Sequence, residues 1–277
     1  MQQADISRFF SDKTIWFAEK EAKAGMVSDS ARQKRLIAAL QAGGERPLRS
    51  SEQVRVASFG ISEIDGALCF GGIKFGAIHE CFFAKPEGSY FPLIVPVCLS
   101  AGSFEESSGR YFFWIGRKAW PSPFILEQAG GEAFLSRCVF LDPADEKSLL
   151  WSVETALRSR AASCVVVAIK NLRFSVSRRL ELAARYGGTL GIFLRDPRGL
   201  KDNSAATTRW LIKHRPSPDL DPLFEIELLR QKGAGSAPLR WVIRFCTGKN
   251  GQKKVSLHIP SSLGGQSETE DLQRCAG

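Results

Sequence analysis

The sequence has few of the features that mark a disulfide framework, a metal site or a membrane protein. Its 277 residues include seven cysteines but no CxxC pair, and only three histidines. The cysteines lie mostly in apolar runs, which indicates reduced core thiols instead of disulfides or zinc ligands. No apolar run reaches the ~18 residues that a membrane span needs, and the N-terminus has no apolar signal core. These absences predict a cytoplasmic protein that is not inserted in a membrane.

Recognisable catalytic arrangements are also missing. The three histidines, His79, His214 and His258, do not have the spacing of metal ligands, and no G-x-S-x-G segment is present. No nucleophile stands beside a base and its orienting group. We therefore expect His79 to be a core histidine. Glu63 and Asp65 lie on a short predicted helix, where a cap or turn role is favoured over a catalytic carboxylate pair.

The charge balance predicts an acidic partner. The chain has 38 Lys and Arg residues against 29 Asp and Glu residues, which gives a net charge of +9 and a pI near 9.3. A basic surface of this kind favours nucleic acid, although it serves solubility or a protein contact equally well. The hydrophobic content of 44% is enough for one main globular core.

The stretch from residue 59 to residue 101 has the outline of a nucleotide-binding strand and loop. A phosphate loop, G-x-x-x-x-G-K-[ST], wraps phosphates in backbone N–H groups, neutralises them with lysine and holds magnesium with a hydroxyl. After the predicted strand Ala77–Phe83, these four positions are occupied, in order, by Phe83, Gly88, Ser89 and Tyr90. Only the glycine at 88 is kept. We therefore expect a degenerate site without a cofactor.

The order of the pieces around this strand resembles the RecA-type ATPase core. In that family a later strand end carries the glutamate that activates water, and a further apolar strand ends in the aspartate that organises magnesium. The corresponding residues here are Arg117, by approximate alignment, and Ala168. The resemblance therefore implies a RecA-like core that has lost ATP hydrolysis, so we expect a protein that is not an enzyme and holds no metal ion.

Alternating strands and helices indicate an α/β fold. Cys164–Ile169 is a continuous apolar run, typical of a parallel strand buried on both faces. Asp142 and Asp145 are expected at the start of a helix. The short connections favour a doubly wound, mainly parallel sheet. The other elements expected are the strands Arg110–Ile115, Cys138–Leu141 and Leu190–Leu194, and the helices Ala31–Gln41, Pro123–Ala129, Glu146–Arg160 and Ser177–Tyr186.

The pattern changes after Ala205. The strands Thr207–Lys213, Leu223–Leu229 and Leu239–Cys246 are expected to form a C-terminal antiparallel extension with its last strand at the sheet edge. The chain is thereby divided into a basic N-terminal helical or linker region (1–53), the core with the degenerate nucleotide site (54–246) and a flexible tail (247–277).

Two groups of residues near the C-terminus are candidates for binding. The partner-binding candidates are Arg240, Trp241 and Arg244, because Trp and Arg are enriched at hot spots; the alternative for Trp241 is packing on the core. The candidates for weak, sequence-independent DNA binding are Lys249, Lys253 and Lys254, for which a solvated lysine run is the alternative.

Several segments of the core also match one family in their order. They are ASFGISEIDGALCFGGIKFGAIHE, WSVETALRSRAASCVVVAI, SRRLELAARYGGTLGIFLR and AATTRWLI with the two strands that follow. Together they resemble ImuA, a RecA-like accessory protein of the bacterial mutasome, over about residues 54 to 246. The resemblance implies a DNA-damage-inducible protein of the SOS response that acts in translesion synthesis.

The same resemblance implies the partners of the protein. They are ImuB, a catalytically inactive relative of Y-family polymerases, an error-prone C-family polymerase, and RecA. Two alternatives remain open from the residues. One is a cell-division inhibitor of the SulA kind, which shares a RecA-like core without ATP chemistry. The other is a divergent ATPase that binds nucleotide in another way.

Overall fold

The computed structural model describes the chain in several stretches. These are residues 15–17, 54–83, 91–103, 109–217, 221–233, 239–247 and 253–258, together with Lys34, Leu36 and Ala38 in a helix. Residues 15–17, 246–247 and 253–258 are described by their backbone alone.

Strands and helices alternate along most of the described chain. The strands are β1 Ile15–Phe17, β2 Val56–Ala57, β3 Ile73–Lys74, β4 Ala77–Phe83, β5 Tyr111–Ile115, β6 Cys138–Leu141, β7 Ala162–Ala168, β8 Leu190–Arg195, β9 Thr208–Arg215, β10 Leu223–Gln231, β11 Leu239–Thr247 and β12 Lys253–His258. The helices are α1 Ser62–Ala67, α2 Phe91–Gly102, α3 Pro123–Leu135, α4 Glu146–Arg158 and α5 Phe174–Gly187, and there are 3₁₀ turns at Arg117–Ala119 and Pro197–Lys201.

Ten of these strands form one mixed sheet in the order β1-β6-β5-β7-β8-β4-β9-β10-β11-β12. The six strands from β6 to β9 in this order run parallel. At the two ends, β1 and the strands β10 to β12 pair antiparallel. The expected α/β class, with a mainly parallel sheet and C-terminal antiparallel strands, is confirmed. This arrangement is compatible with a RecA-like fold.

Helices cover both faces of the parallel part because the crossovers run in two directions along the sheet. The connections from β4 to β6 carry α2 and α3 to one face, and the connections from β6 to β8 carry α4 and α5 to the other. Strand residues alternate between the two cores: Phe112 and Trp114 pack with α2 and α3, whereas Phe113 and Ile115 pack with α4 and α5.

Local sequence signals explain several element boundaries. The side chain of Asp145 accepts a hydrogen bond of 2.7 Å from the backbone N–H of Ser148, so the expected helix-start role is confirmed. Gly188 ends α5 in a left-handed conformation with φ of 62°, which glycine adopts without strain. All but the last residue of β7 are buried, as the apolar run predicts.

The C-terminal strands differ from the sequence expectation in two ways. β9 pairs antiparallel with β10 but parallel with β4, so it belongs to both parts of the sheet and is not simply antiparallel. β11 is not the edge strand, because β12 pairs with it. β12 lies inside the segment that was expected to be a flexible tail, so the sheet extends past residue 246. A strand rich in lysine has little apolar signal, and this is why the pattern did not predict it.

The N-terminal region also contributes to the sheet. β1 pairs with β6 through Ile15 and Leu141, and Leu36 is fully buried among residues of the α4 and α5 face. Part of the expected linker region is thus joined to the core. None of the helices in the described ranges has the length and apolar character needed to cross a bilayer.

Candidate functional site

The predicted nucleotide site lies at the carboxyl end of β4, which is flanked by the parallel strands β8 and β9. Phe83 is the last residue of this strand, and its half-buried ring packs against the core on the α2 face. An aromatic ring therefore stands where glycine would let the backbone approach a phosphate. The other three positions, Gly88, Ser89 and Tyr90, lie outside the described residues.

Arg117 lies in the 3₁₀ turn that follows β5. Its side chain is 75% exposed, and its Nε donates a hydrogen bond of 2.6 Å to Oδ2 of Asp142, which follows β6. A guanidinium stays protonated at any physiological pH and has no lone pair for a proton from water. The end of β5, where RecA-type ATPases carry the glutamate that activates water, is thus followed here by an exposed cation in an ion pair. Asp142, expected at a helix start, binds Arg117 instead, while Asp145 caps α4.

Ala168 is the last residue of β7, and its methyl group is half-buried against the core. A methyl group offers no oxygen to a metal ion. The described part of the chain contains no group of three His, Cys, Asp or Glu side chains that could hold a metal ion.

His79 is a buried core histidine, as expected. Its Nε2 lies 2.9 Å from the carbonyl oxygen of Lys74, and its Nδ1 lies 2.8 Å from Oγ1 of Thr208. The carbonyl only accepts, so Nε2 donates and Nδ1 accepts from the hydroxyl. Burial is the main cause that lowers the pKa of His79 from 6.5 to about 4, and the nearby Lys232 and Lys74 charges add to it. The imidazole is therefore neutral at physiological pH.

Asp65 has the turn role that its position predicts. Its carboxylate accepts hydrogen bonds from the Ser58 hydroxyl at 2.5 Å and from the Phe59 backbone N–H at 2.9 Å. Glu63 is exposed and accepts a hydrogen bond from Ser62. These contacts fix the turn that leads into α1, and the two carboxylates have separate partners.

Glu80 is a buried charged residue that the sequence pattern did not single out. It lies in the middle of β4 on the face opposite His79, and its side chain is fully buried. Its Oε1 accepts from Nη1 of Arg195 at 3.1 Å, and its Oε2 accepts from Nε of Arg209 at 2.8 Å. The Ser204 hydroxyl donates to Oε1 at 2.8 Å. The signal in the sequence was a glutamate within the apolar strand AIHECFF, which requires buried cations nearby.

The arginines of this cluster have further partners. Nη2 of Arg195 donates to Oδ2 of Asp202 at 2.8 Å, and Arg209 donates to the carbonyl oxygens of Gly199 and Leu200. The resulting cluster joins β4, β8 and β9 to the 3₁₀ turn after β8. Its two carboxylates balance its two guanidinium groups, so we assign it to the fold and not to ligand binding.

A second glutamate cluster lies on the antiparallel strands. Glu225 of β10 accepts from Nζ of Lys213 at 2.9 Å and from Nε of Arg215 at 2.8 Å. Nε of Arg240 lies 3.5 Å from the same carboxylate, and its Nη2 lies 3.5 Å from Glu227. These side chains share one face of β9, β10 and β11, which we call the charged sheet face. Here the cations are partly exposed, with 36% to 50% of each side chain accessible.

The three partner-binding candidates are divided between the two faces of β11. Trp241 is 4% exposed and packs with its ring centroid 6.3 Å from that of Trp210, so the alternative of core packing is confirmed. Arg240 and Arg244 lie on the charged sheet face. Arg244 is buried, and Arg240 is exposed. Of the three, only Arg240 is well placed for a direct contact.

Two of the three DNA-binding candidates belong to the last strand of the sheet. The backbone of Lys253 and Lys254 begins β12, where these residues pair with Thr247 and Cys246. Lys249 lies outside the described residues. The role of the three lysines stays a prediction.

Comparison with known proteins identifies the relatives of this chain. No protein-family profile matches it. Among curated proteins it is similar to Protein ImuA from two strains of Caulobacter vibrioides. Each is 30% identical over 208 residues, which cover 68% of this chain and 83% of the relative. The match thus extends over most of the relative and is not confined to one motif. The chain belongs to the ImuA family.

Proposed function

We propose that this protein is a non-catalytic accessory component of error-prone translesion DNA synthesis in the SOS response. It bridges an ImuB-like polymerase homologue and an error-prone C-family polymerase, with RecA as a further contact. The observation that carries the proposal is the family relationship, at 30% identity over 83% of Protein ImuA. The cell compartment that fits this role is the cytoplasm.

A RecA-like core is part of the proposal. It is supported by the position of β4 between β8 and β9 and by the crossover through α2 to β5. The absence of catalysis is supported by Phe83, Arg117 and Ala168, which offer neither a close phosphate approach, nor a general base, nor a metal ligand. The protein accordingly needs no cofactor.

The charged sheet face is the proposed surface for the ImuB-like partner. It carries Lys213, Arg215 and Arg240, whose side chains are partly exposed and already desolvated in part. Trp241 supports this face from the core side, where it packs on Trp210. A partner with acidic side chains gains charge-assisted hydrogen bonds here without a change in the strand pairing.

Weak, sequence-independent DNA contact at Lys249, Lys253 and Lys254 is a separate part of the proposal. The backbone of Lys253 and Lys254 belongs to the last strand of the sheet, away from the parallel strands, and lysine binds phosphate as a point charge. Replacement of all three by glutamate is expected to lower the salt dependence of DNA binding in an anisotropy titration.

A pull-down from DNA-damaged cells tests the proposal. The tagged full chain is recovered from damaged and undamaged cells, and the bound proteins are scored for an ImuB-like protein, polymerase subunits and RecA. Deletion of the gene in the same host is expected to lower the frequency of damage-induced mutation. Recovery of the tubulin-like division protein in place of polymerase subunits would favour the SulA-like alternative and contradict the proposal.

Nucleotide chemistry is tested with the purified protein. Calorimetry with magnesium and ATP is expected to show no turnover. Hydrolysis that is lost when a residue at the carboxyl end of β4 is replaced would instead establish a divergent ATPase.

A further inference from the structure

The loops that follow β7 and β8 border an open cleft at the carboxyl edge of the sheet. Its volume is about 410 Å³, and we call it the Phe174 cleft. It is lined by Asn171, Leu172, Arg173, Phe174, Asp202 and Asn203. Open parallel sheets bind ligands outside the carboxyl ends of strands, where the connections of neighbouring strands leave on opposite faces. The cleft adjoins such a point, because β5 leads into α3 on one face and β7 leads into α5 on the other.

The charges around the cleft are mostly positive and uncompensated. Arg173 lines the cleft, and Lys170 and Lys201 directly precede the lining residues Asn171 and Asp202 in the chain. All three cations are exposed, and within the described ranges none of them has an ion-pair partner. The one acidic side chain in the lining, Asp202, is already bound by the buried Arg195. A ligand in the cleft therefore meets one free cation and a neutralised carboxylate, with two further lysines next to the lining residues in the chain. This balance favours an anionic ligand.

Phe174 adds an aromatic surface to the lining of the cleft. It is the first residue of α5, and 54% of it is exposed. About half of this large apolar residue thus stays accessible in the folded chain, although phenylalanine is among the residues most often buried. Its free face is available for stacking. The amides of Asn171 and Asn203, which line the same cleft, each offer both a donor and an acceptor.

An aromatic platform, free cations and amides in one cleft are the parts with which proteins hold single-stranded nucleic acid. Bases stack on aromatic rings, and the cations follow the phosphates. A duplex keeps its base faces covered and has no face to offer to Phe174. An acidic peptide can pair with the cations, but it does not in general carry a flat ring that would stack on Phe174. The combination thus selects an unpaired strand.

We propose that the Phe174 cleft binds single-stranded nucleic acid, with one base stacked on Phe174 and the neighbouring phosphates held by Lys170, Arg173 and Lys201. This site is separate from the lysines at β12 and from the charged sheet face. It does not rest on the proposed assembly, because binding needs only this chain.

The test is a fluorescence-anisotropy titration of the full chain with a labelled oligothymidine strand. Phe174→Ala is expected to weaken binding roughly tenfold or more, since stacking contacts are worth about 1–3 kcal/mol per base. Leu182→Ala is the matched control, because Leu182 is an exposed apolar residue on the same helix, and it is expected to leave the affinity unchanged. Circular dichroism checks that both variants are folded.

The cations are tested by salt dependence. The combined variant Lys170→Ala, Arg173→Ala and Lys201→Ala is expected to lower the slope of log affinity against log salt by about 2, at ~0.7 for each phosphate contact on a single strand. Arg185→Ala, on the same helix, is the control for loss of one exposed arginine. Oligouridine titrated beside oligothymidine distinguishes RNA from DNA as the ligand.

Four outcomes would overturn the inference. They are an undetectable affinity for single strands, equal binding of the corresponding duplex, equal losses for Phe174→Ala and Leu182→Ala, and a salt slope unchanged in the cation variant. Failure here leaves the protein-partner proposal standing, because that proposal is measured by recovery of an ImuB-like protein. Failure of the partner proposal likewise leaves this titration valid.

Discussion

Two glutamates, on strands that lie on either side of β9, bind cations in different ways. Glu80 on β4 and its partner Arg195 are fully inaccessible, and the second partner Arg209 is 10% exposed. Glu225 on β10 is 4% exposed, but its partners are 36% to 50% exposed. Water therefore screens the second cluster and not the first. We infer that the buried cluster fixes the fold, whereas the cations of the other cluster are available to a partner.

The largest expected effect is the loss of the Glu80 carboxylate. Glu80→Gln keeps the size of the side chain but removes the carboxylate that Arg195 and Arg209 share, so the two guanidinium groups retain only Asp202, which pairs with Arg195. Breaking a buried pair from one side costs about 3–5 kcal/mol. Urea denaturation followed by circular dichroism measures this loss. A loss below ~1 kcal/mol would mean that water reaches the Glu80 cluster and that the two glutamate clusters do not differ in solvent screening.

The second largest effect is a pH dependence from His79, on the opposite face of β4. Its pKa is lowered from 6.5 to about 4, chiefly by burial, so protonation favours the unfolded chain. The contribution to stability is complete above pH 6.5 and is lost as the pH falls through 4. The loss amounts to about 3 kcal/mol, at 1.36 kcal/mol for each pKa unit.

Denaturation midpoints measured between pH 7 and pH 4 test this effect. His79→Gln keeps hydrogen-bonding capacity but does not titrate, so its stability is expected to change less over this window. The variant is compared with the wild type at each pH. Parallel curves for the two proteins would assign the pH dependence to other groups.

Removal of the Glu225 carboxylate is expected to have a smaller effect. Glu225→Gln weakens pairs whose cations remain solvated, so the loss is about 1 kcal/mol. Burial raises the pKa of Glu225, but the hydrogen bonds from Lys213 and Arg215 outweigh it, and the net pKa is below 4.5. The contribution is therefore present above pH 4.5 and lost below it. A loss as large as that of Glu80→Gln would remove the distinction between the clusters.

The smallest expected effect is at the surface pair of Arg117 and Asp142. The Arg117 side chain is 75% exposed. Its replacement by alanine is expected to change the free energy of unfolding by less than ~0.5 kcal/mol, as is typical of exposed pairs. Thermal unfolding of Arg117→Ala measures it. A shift comparable to that of Glu225→Gln would indicate a structural role for this strand end.

The parallel part of the fold could be predicted well because its signals are local. The strands Ala77–Phe83 and Cys138–Leu141 have the predicted bounds, since each is an apolar run between turns. The helix after Asp145 begins where its cap residue predicts. By contrast, β9 pairs parallel with β4 across more than 120 residues of chain, a distance at which composition carries no register information.

The site was less predictable than the fold. The strand-end positions at Phe83, Arg117 and Ala168 followed from the resemblance, and the structure places two of them at strand ends and Arg117 just after one. Predicting the Glu80 cluster from the sequence requires knowing that β8 and β9 flank β4 and which of their arginines face it. Trp241 is buried because its face of β11 is the one that meets Trp210. The alternation of side chains along a strand shows which residues share a face, but it does not show which face meets the core.

The positions of these side chains decide which variants are suitable for a test of partner binding. Truncation before Asp221 removes Phe224, Ile226 and Leu228 from the core, so it threatens the fold itself. A charge reversal at Arg244 also threatens the fold, because this arginine is buried. Arg240→Glu acts on an exposed side chain and is the better variant. Arg179→Glu is its matched control, because Arg179 is an exposed arginine paired with one glutamate, Glu154, at 3.0 Å.

The central claim is that this ImuA-family protein works by binding its partners through the charged sheet face. Its most direct test is the affinity of the purified chain for the ImuB-like protein of the same cell, measured by biolayer interferometry. The account predicts a complex that Arg240→Glu weakens at least tenfold, or about 1.4 kcal/mol, and that Arg179→Glu leaves unchanged. The absence of a complex, or equal affinities for the two variants, would contradict it.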